Sequence, residues 1–566
     1  MDVDETKMVN NNMEDVEICE MNELNLNNEL CEKLLSPEKL VQSSFQHFLQ
    51  TNSHNNLNLK ILSQWNFVQD LENRVGIKLD TEAVLKKLPN LGSQLSYLKG
   101  GKLIKFNCMI QNILENQFYL AFCRDKLNKD EFRVNKYFEY QNNSMMVDND
   151  DDLFGDSDYD TKDNILMDRL ALNCVALPGL SSDLAKLMQI GDNLRKKKII
   201  VLDYENSQVK VNQEILVIGV AYEIDDTIVI HSWKIIQNYF KFQSDLNNQD
   251  VLNNFDFTSA RKLISDYLKL IFNGDELLAE YMNLFLVAQI FFRLETKNIG
   301  KLLINIINQV GSRLGIEEEF DYFAGLQSFL ARITNFSKSF DVTIDSMNKN
   351  YLFSRFDVNT EELIQGEFQT VDHTFILLDE RKLKEGKLND NGCKNFKTIK
   401  TLIDFQSISY HYPYSTIEMH HDTQILTVSD SCKSMFSSNE LIEIPFLNGL
   451  SSYKLDEHRK NLDLYFSNIN ERDISVMRRY LDVCRYSEEF AKKFKIDDEV
   501  SKMIQRDFVE NKNEDFSAED LDMCIKIGRL YAISNGRTEL VLDDYIFAKD
   551  CESKRKNRLL QLKKKI

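Results

Sequence analysis

The sequence predicts a multidomain α+β protein in which a β-barrel precedes an α/β domain and a helical C-terminal region. The chain has 566 residues, whereas a single hydrophobic core stops growing at roughly 250–300 residues, so more than one domain is expected. Short β-rich runs separated by polar turns fill much of the first half. The second half alternates helical patterns with continuous apolar runs, which are typical of strands covered on both faces.

The N-terminal part divides into a tail and a small helical region. Residues 1–30 are acidic and Asn-rich with few large apolar groups, so they cannot offset the entropy of ordering and are expected to be disordered. Residues 31–100 should form the helical region, with Ser36-Pro37 at a helix start. The apolar residues at helical spacing there are Leu40, Val41, Phe45, Phe48 and Leu49.

Residues 101–240 carry the pattern of a β domain. Glu115 and Asn116 form a polar turn between the first two β-rich runs, which predicts a hairpin. The five runs are 103–110, 117–122, 198–202, 215–220 and 227–233. Five short strands around a loop predict an OB-like barrel.

An acidic insertion interrupts this β domain at residues 142–163. Asp148 to Asp160 contains seven Asp residues and no Lys or Arg, so it repels itself and should be disordered. Gly155 stands at the sixth position of a calcium loop counted from Asp150, but Phe154 and Thr161 stand where ligands are needed. We therefore predict no metal site.

Residues 255–450 show the helix and strand alternation of an α/β domain. Asn273-Gly274 should end a helix over 259–272, and Asp275 should cap the next helix, which is apolar on most faces and therefore buried. Three continuous apolar runs follow and predict strands of a parallel sheet. They are residues 301–307, 374–378 and 424–428.

Residues 455–566 should form a helical, lid-like domain with a basic C-terminus. Ser517 to Asp520 reads as a capping box, Asn535-Gly536 as a helix stop, and Asp543 as the cap of the last helix. The basic cluster is either a nuclear import signal or a solvated helix end. Its members are Lys554, Arg555, Lys556, Arg558, Lys563, Lys564 and Lys565.

Composition narrows the class of partner. The formal net charge is -20 and the pI is about 5.0, which argues against strong direct contact with nucleic-acid backbones and favours a protein partner. The ten cysteines contain no C-x-x-C pair, as expected of reduced thiols. No apolar stretch is long enough to span a bilayer, so no membrane contact is expected.

Asp379 and Glu380 are the candidate catalytic residues. They follow the apolar run Phe375 to Leu378, which is the form of a Walker B strand, where Asp helps to hold magnesium and Glu orients the attacking water. A working ATPase also needs G-x-x-x-x-G-K-[ST] after an earlier strand. Residues 308–315 stand there without Lys-Ser or Lys-Thr. We therefore predict no catalytic residue, no cofactor and no enzymatic activity.

The residues after Glu380 resemble the core of MCM-type AAA+ domains. A hairpin around 405–412 is followed by an apolar run that ends in Ser429, where the family places a sensor Asn. This resemblance implies a degenerate AAA+-like domain that lacks a P-loop. Ser354-Arg-Phe-Asp357 copies the arginine-finger motif of MCM helicases, but it precedes the Walker-B-like strand. We interpret that match as a coincidence, because a motif counts only in its structural context.

Four segments together resemble the MCM-binding protein family, in the same order as in that family. The resemblance covers most of the chain from about residue 60 onward, while the Asn-rich N-terminus and a short central linker depart from it. The segments are 103–111 with Phe118-Tyr119, 274–281, 377–388 with the hairpin at 405–412, and 507–510 with 517–521 and the final basic helix.

The resemblance implies a nuclear, non-enzymatic partner of MCM helicase subunits that reaches chromatin only indirectly. It further implies roles in MCM subunit assembly or protection, in removal of MCM complexes from chromatin in S phase, and in sister-chromatid cohesion. Two alternatives remain. One is a single-strand nucleic-acid binder that stacks bases on Phe118, Tyr119 and Phe122, although we expect these rings to fill the barrel. The other is a residual AAA+ ATPase that uses Asp379-Glu380.

Overall fold

A computed structural model gives the structure, which describes most of the chain between Pro37 and Lys565. The described ranges are 37–51, 65–75, 78–124, 132–137, 165–240, 255–294, 297–308, 322–431, 433–447, 469–510 and 517–565. The predicted tail 1–30, the insertion 142–163 and all but Asn308 of the P-loop position lie outside them. The chain divides into two compact units, residues 1–176 with 186–237 and residues 177–185 with 238–566.

The first unit combines short helices with long strands. Its helices are α1 (Pro37–Thr51), α2 (Phe67–Val75), α3 (Glu82–Lys87), α4 (Leu91–Gln94), a 3₁₀ turn (Leu95–Gly100), α5 (Ser182–Leu187), which crosses into the second unit, and α6 (Asp192–Arg195). Its strands are β1 (Lys102–Ile113), β2 (Gln117–Arg124), β3 (Phe132–Val134), β4 (Ile165–Ala176), β5 (Lys198–Asp203), β6 (Glu214–Ile224) and β7 (Thr227–Gln237).

Five of these strands close into a ring. The sheet runs β1-β6-β7-β5-β4, and β4 pairs back with β1, while β2 and β3 extend from β4 outside the ring. Each pair in the ring is antiparallel except β5 with β7, which is parallel. Closure pairs the backbone groups that an open edge would expose. Trp233 of β7 is buried, and its ring packs at 4.7 Å on Phe67 of α2.

All five predicted β-rich runs lie in strands, but the predicted hairpin between the first two is wrong. β1 and β2 each pair with β4 and not with each other. The twelve-residue β4 serves both, because its Leu172–Ala176 half faces β1 and its Ile165–Arg169 half faces β2. The sequence did not predict β4, since Asp168 and Arg169 interrupt its apolar pattern.

The second unit has ten helices and thirteen strands in its described part. The helices are α7 (Phe257–Ile271), α8 (Glu276–Val287), α9 (Tyr322–Ile333), α10 (Ile344–Lys349), α11 (Asp390–Phe405), α12 (Glu471–Tyr486), α13 (Glu488–Lys492), α14 (Asp498–Glu510), α15 (Ala518–Ser534) and α16 (Leu542–Lys565). The strands are β8 (Phe292–Arg293), β9 (Asn298–Ile299), β10 (Leu303–Ile307), β11 (Ser337–Asp341), β12 (Ser354–Asp357), β13 (Glu362–Ile364), β14 (Thr374–Asp379), β15 (Ser407–His411), β16 (Thr416–His420), β17 (Thr423–Ser429), β18 (Leu441–Pro445), β19 (Lys495–Ile496) and β20 (Glu539–Leu540).

A parallel sheet of five strands organises this unit, in the order β11-β14-β17-β10-β18. The three continuous apolar runs form its central strands β14, β17 and β10, and each is buried along its whole length. This confirms the prediction of parallel strands covered on both faces. A separate sheet, β13-β12-β15-β16, contains the predicted hairpin as β15 and β16.

The helix caps follow the sequence closely, with one exception. Asp275 accepts the Leu278 N–H at 3.1 Å, and Ser517 forms a full capping box with Asp520, so both predicted caps are confirmed. Asp543 was expected to cap α16 but lies inside its first turn. Asp544, in the same turn, accepts the Val541 N–H at 3.2 Å, which is the bond that the third helical residue makes to the residue before the helix in a capping box.

None of the helices within the described ranges is both long enough and apolar enough to cross a membrane.

Candidate functional site

Polar residues gather where the central strands of the parallel sheet end. Asp379 and Glu380 end β14, Ser429 ends the neighbouring β17, and Asn308 follows β10, the next strand along. Parallel strands bring their carboxyl ends to the same edge, which is where open α/β sheets bind ligands. The Glu380 N–H donates to the Val428 carbonyl at 2.9 Å and locks the two strand ends together.

Asp379 is occupied by an arginine of its own chain. The Arg381 guanidinium binds both carboxylate oxygens, with Nε to Oδ1 at 2.9 Å and Nη2 to Oδ2 at 2.9 Å. The Arg381 N–H adds a bond to Oδ1 at 3.1 Å. The Asp379 side chain is 1% exposed, so this forked pair is shielded from water. The place beside Asp379 that a magnesium ion would need is therefore taken by a guanidinium.

Glu380 is held by the segment after β17. Its Oε1 accepts the Ser434 hydroxyl at 2.5 Å, and its Oε2 accepts the Met435 N–H at 2.8 Å. Burial raises the pKa of Glu380, and the charge of Asp379 adds to the rise, while the two hydrogen bonds oppose it. Both oxygens therefore accept a hydrogen bond from the segment after β17.

Replacing Glu380 by glutamine should leave the protein at least as stable as the parent at neutral pH. Because the folded pKa is raised, ionisation costs the parent stability as the pH rises from roughly 4.3, the unfolded value, through the folded pKa. The amide can donate to Ser434 and accept from Met435. Urea unfolding at several pH values should show the advantage of Glu380→Gln growing from pH 4 to pH 7. A constant or opposite difference would contradict this assignment.

The Ser429 side chain forms a hydrogen bond inside the parallel sheet. Asn305 on β10 donates through Nδ2 to Ser429 Oγ at 3.0 Å, and its Oδ1 accepts the Thr427 hydroxyl at 2.8 Å. All three side chains are buried. The predicted sensor residue thus bonds two neighbouring strands. Sequence reasoning did not single out Asn305, although a lone amide within an apolar strand was a usable signal.

The edge does not fit a magnesium ion. Across the described part of the chain, no three His, Cys, Asp or Glu side chains are grouped so that they could hold a metal. Asp379 is neutralised by Arg381, and Asn308 donates through Nδ2 to Asp430 at 3.0 Å. The polar groups at this edge therefore bind one another.

The residues of the arginine-finger-like motif lie in the other sheet. Arg355 is on β12, which pairs with β13 and β15, and its guanidinium lies 4.0 Å from the centre of the Tyr351 ring. Asp379 belongs to the parallel sheet. The structure does not bring this motif together with the Walker-B-like acids.

The basic cluster at the C-terminus splits between buried and surface roles. Arg558 forks onto Asp275 with distances of 2.8 and 2.9 Å, and Arg555 pairs with Glu552 at 2.7 Å. Both arginines are largely shielded from solvent. The lysines remain nearer the surface: Lys554 pairs with Asp550, Lys556 pairs with Asp520, Lys563 and Lys564 are exposed, and Lys565 ends the helix.

The three aromatic residues of β2 have different environments. Phe122 is 1% exposed, and the Tyr119 ring packs at 5.3 Å on Tyr204. Phe118 is 81% exposed. Phe122 packs on Phe45 at 5.2 Å and on Trp65 at 6.2 Å, and β2 extends from β4 outside the closed ring. The expectation that these rings fill the barrel is therefore wrong for Phe118, which is exposed, and the burial of Phe122 comes from other elements.

Comparison with known proteins gives a family and several relatives. A family model described as "Mini-chromosome maintenance replisome factor" matches residues 76–220 and 226–559. Proteins named "Mini-chromosome maintenance complex-binding protein" are similar to this chain. The Salmo salar protein is 26% identical over 313 residues, which cover 54% of this chain and 47% of the relative. The Homo sapiens protein is 26% identical over 293 residues (51% and 43%), and the Arabidopsis thaliana protein 25% over 311 residues (54% and 48%). The chain thus spans about half the length of the curated relatives it matches.

Proposed function

The chain belongs to the mini-chromosome maintenance replisome factor family, and from this premise we propose that it is a non-enzymatic binding partner of MCM helicase subunits. The names of its relatives describe binding to the mini-chromosome maintenance complex. The proposal extends to MCM subunit assembly or protection, to removal of MCM complexes from chromatin in S phase, and to sister-chromatid cohesion in the nucleus. Cell fractionation that recovers the chain only outside the nucleus would contradict the proposed location.

The observation that carries the non-enzymatic part of the proposal is the fork of Arg381 on Asp379. A Walker B aspartate works by holding the magnesium ion of a bound nucleotide. Here a guanidinium makes two 2.9 Å bonds to that carboxylate, and Glu380 is bound to Ser434 and Met435. Binding without hydrolysis is therefore the activity that this edge supports best.

The two units support a further part of the proposal, that the chain imitates an MCM subunit in layout. The closed ring of five strands supports an OB-like barrel, and the parallel sheet with its acid-ended and serine-ended neighbours supports a degenerate AAA+-like domain. Helices α12 to α16 would correspond to the lid. A subunit-like chain of this kind could occupy an interface between MCM subunits without driving translocation.

Co-purification is the direct test of the partner. A tagged full-length chain expressed in its own cells should recover MCM subunits from a nuclear extract at mild salt, and cross-linking should place contacts on the chain itself. A matched tag without the chain should recover none. Good recovery of the tagged chain with no MCM peptides would refute the proposal.

A residual ATPase is the candidate from a different class. It requires hydrolysis that depends on Asp379, so the decisive comparison is the purified chain against Asp379→Asn. We expect both to hydrolyse ATP at the rate of the buffer blank. Turnover by the parent that disappears in Asp379→Asn would support the ATPase and contradict the proposal.

A nucleic-acid-binding role has one favourable residue, the exposed Phe118. Single-strand binders combine several stacking rings with a positive groove. Phe118 pairs with Asp168 across β2 and β4, while Phe122 is buried and Tyr119 packs on Tyr204. A salt-sensitive shift of labelled single-stranded DNA that Phe118→Ala abolishes would favour this alternative.

A further inference from the structure

The second unit contains a cavity that none of the features above uses. Its volume is about 270 Å³, compared with about 150 Å³ for an engineered cavity that binds benzene. Its walls come from Phe291 and residues 297–300, from α12 and α13, and from α15. A space of this size accommodates one or two fused rings.

Arg529 supplies one wall of the cavity. Its guanidinium carbon lies 3.2 Å from the centre of the Phe291 ring and 4.9 Å from that of Phe494. Nη2 donates to the Phe490 carbonyl at 2.8 Å, while Nε is shielded from solvent and has no hydrogen-bond partner among the described residues. The two neighbouring rings and the hydrogen bond to Phe490 restrict the orientation of the guanidinium.

The charge of Arg529 has no counterion in the described part of the chain, where no carboxylate pairs with it. Buried charges are normally paired, because an unpaired charge out of water is costly. Burial lowers the pKa of Arg529 to about 10, so the side chain stays protonated at neutral pH. The cavity therefore has a fixed positive group and an unused donor.

The remaining lining is a positive and apolar mixture. Lys526 adds a second cation, and Lys297 binds Asp522 at 2.7 Å. The lining thus carries three cations and one carboxylate. The apolar part of the wall includes Phe494, Ile496, Ile525, Leu530 and Leu540. Such a wall is suited to a ligand that has a planar apolar ring system and a negatively charged group.

We propose that this cavity binds a carboxylate attached to an aromatic ring system, with the carboxylate on the Arg529 guanidinium and the rings against the apolar wall. The planar fork of arginine matches carboxylate geometry. Two sources share this chemistry, a free aromatic acid and the C-terminal aromatic residue of a peptide. The proposal does not depend on MCM binding, so either can fail without the other.

The test is a calorimetric titration of the full chain with 2-naphthoate, with 2-naphthamide as the neutral control. We expect the acid to bind at least about tenfold more tightly than the amide, because only the acid pairs a negative charge with the Arg529 guanidinium. Arg529→Gln should remove that preference. Arg506→Gln, at an exposed arginine of α14, should leave it unchanged. Equal binding of acid and amide, or no binding of the acid, would overturn the proposal.

A second variant protects the test against misfolding of Arg529→Gln. Ala491→Phe adds a ring at the cavity wall without altering charge, and it should block 2-naphthoate while the thermal transition of the protein persists. Unchanged binding in this variant would place the ligand elsewhere and overturn the proposal. A peptide ending in free phenylalanine, compared with its C-terminal amide, distinguishes the sources. A preference for the peptide acid supports a peptide ligand, and binding of 2-naphthoate alone supports a free acid.

Discussion

Asp275→Ala should lower the free energy of unfolding of the second unit by about 3–5 kcal/mol, the usual effect of removing one partner of a buried ion pair. The Asp275 carboxylate is fully buried and has three tasks. It accepts two hydrogen bonds from the Arg558 guanidinium, and it caps α8 by accepting the Leu278 N–H. It also accepts the Leu447 N–H at 3.2 Å. Alanine leaves the guanidinium of Arg558 unpaired in a site where only 17% of its side chain is exposed.

The two tryptophans allow this effect to be assigned to one unit. Trp65 and Trp233 are the only two in the sequence, and both lie in the first unit. Urea unfolding of the full chain should therefore show an earlier transition by far-UV circular dichroism while the tryptophan fluorescence transition stays in place. Glu276→Ala is the matched control, because Glu276 pairs with Lys269 in an exposed ion pair worth roughly 0–1 kcal/mol. Equal effects of the two substitutions would contradict the assignment.

Arg381→Gln should also lower the free energy of unfolding of the second unit by about 3–5 kcal/mol, because it leaves the buried Asp379 carboxylate without its guanidinium partner. Lys382→Gln is the control one residue away, since Lys382 is more than half exposed and makes a surface ion pair with Asp341. The same two-probe urea experiment measures both. The double variant Asp379→Asn with Arg381→Gln should recover most of the loss, because no buried charge remains. If Arg381→Gln lowered the free energy of unfolding no more than Lys382→Gln does, the interpretation that Arg381 neutralises a buried Asp379 would be wrong.

Local signals in the sequence predicted many elements of this fold. The continuous apolar runs ending near Ile307, Leu378 and Val428 became the adjacent central strands, because a run without polar alternation is stable only when both faces are covered. The caps at Asp275 and Ser517 were predictable because a cap bonds residues two or three positions away. The position of Asp379 and Glu380 at the end of β14 was also predictable, because both directly follow a continuous apolar run.

Contacts between distant residues escaped prediction. Ser434 lies 54 positions from Glu380, and no local pattern announces that bond. β4 was missed because its charged middle hides a strand that serves β1, β2 and β5 at once. Arg381 is only two residues from Asp379, but its fork depends on the turn that the chain takes after β14. The cavity beside Arg529 depends on segments from three parts of the second unit, so composition could not reveal it.

The ion pair between Arg558 and Asp275 can form only late in the synthesis of the chain. The two residues are 283 positions apart, so at roughly 5–20 residues per second the second is synthesised some 15–55 seconds after the first. The first unit ends at residue 237 and can close during that interval. The apolar helix α8 also packs on α12, α15 and α16, which are all synthesised later, so part of its apolar surface stays uncovered until they follow. This part of the nascent chain is therefore where we expect the greatest need for chaperones.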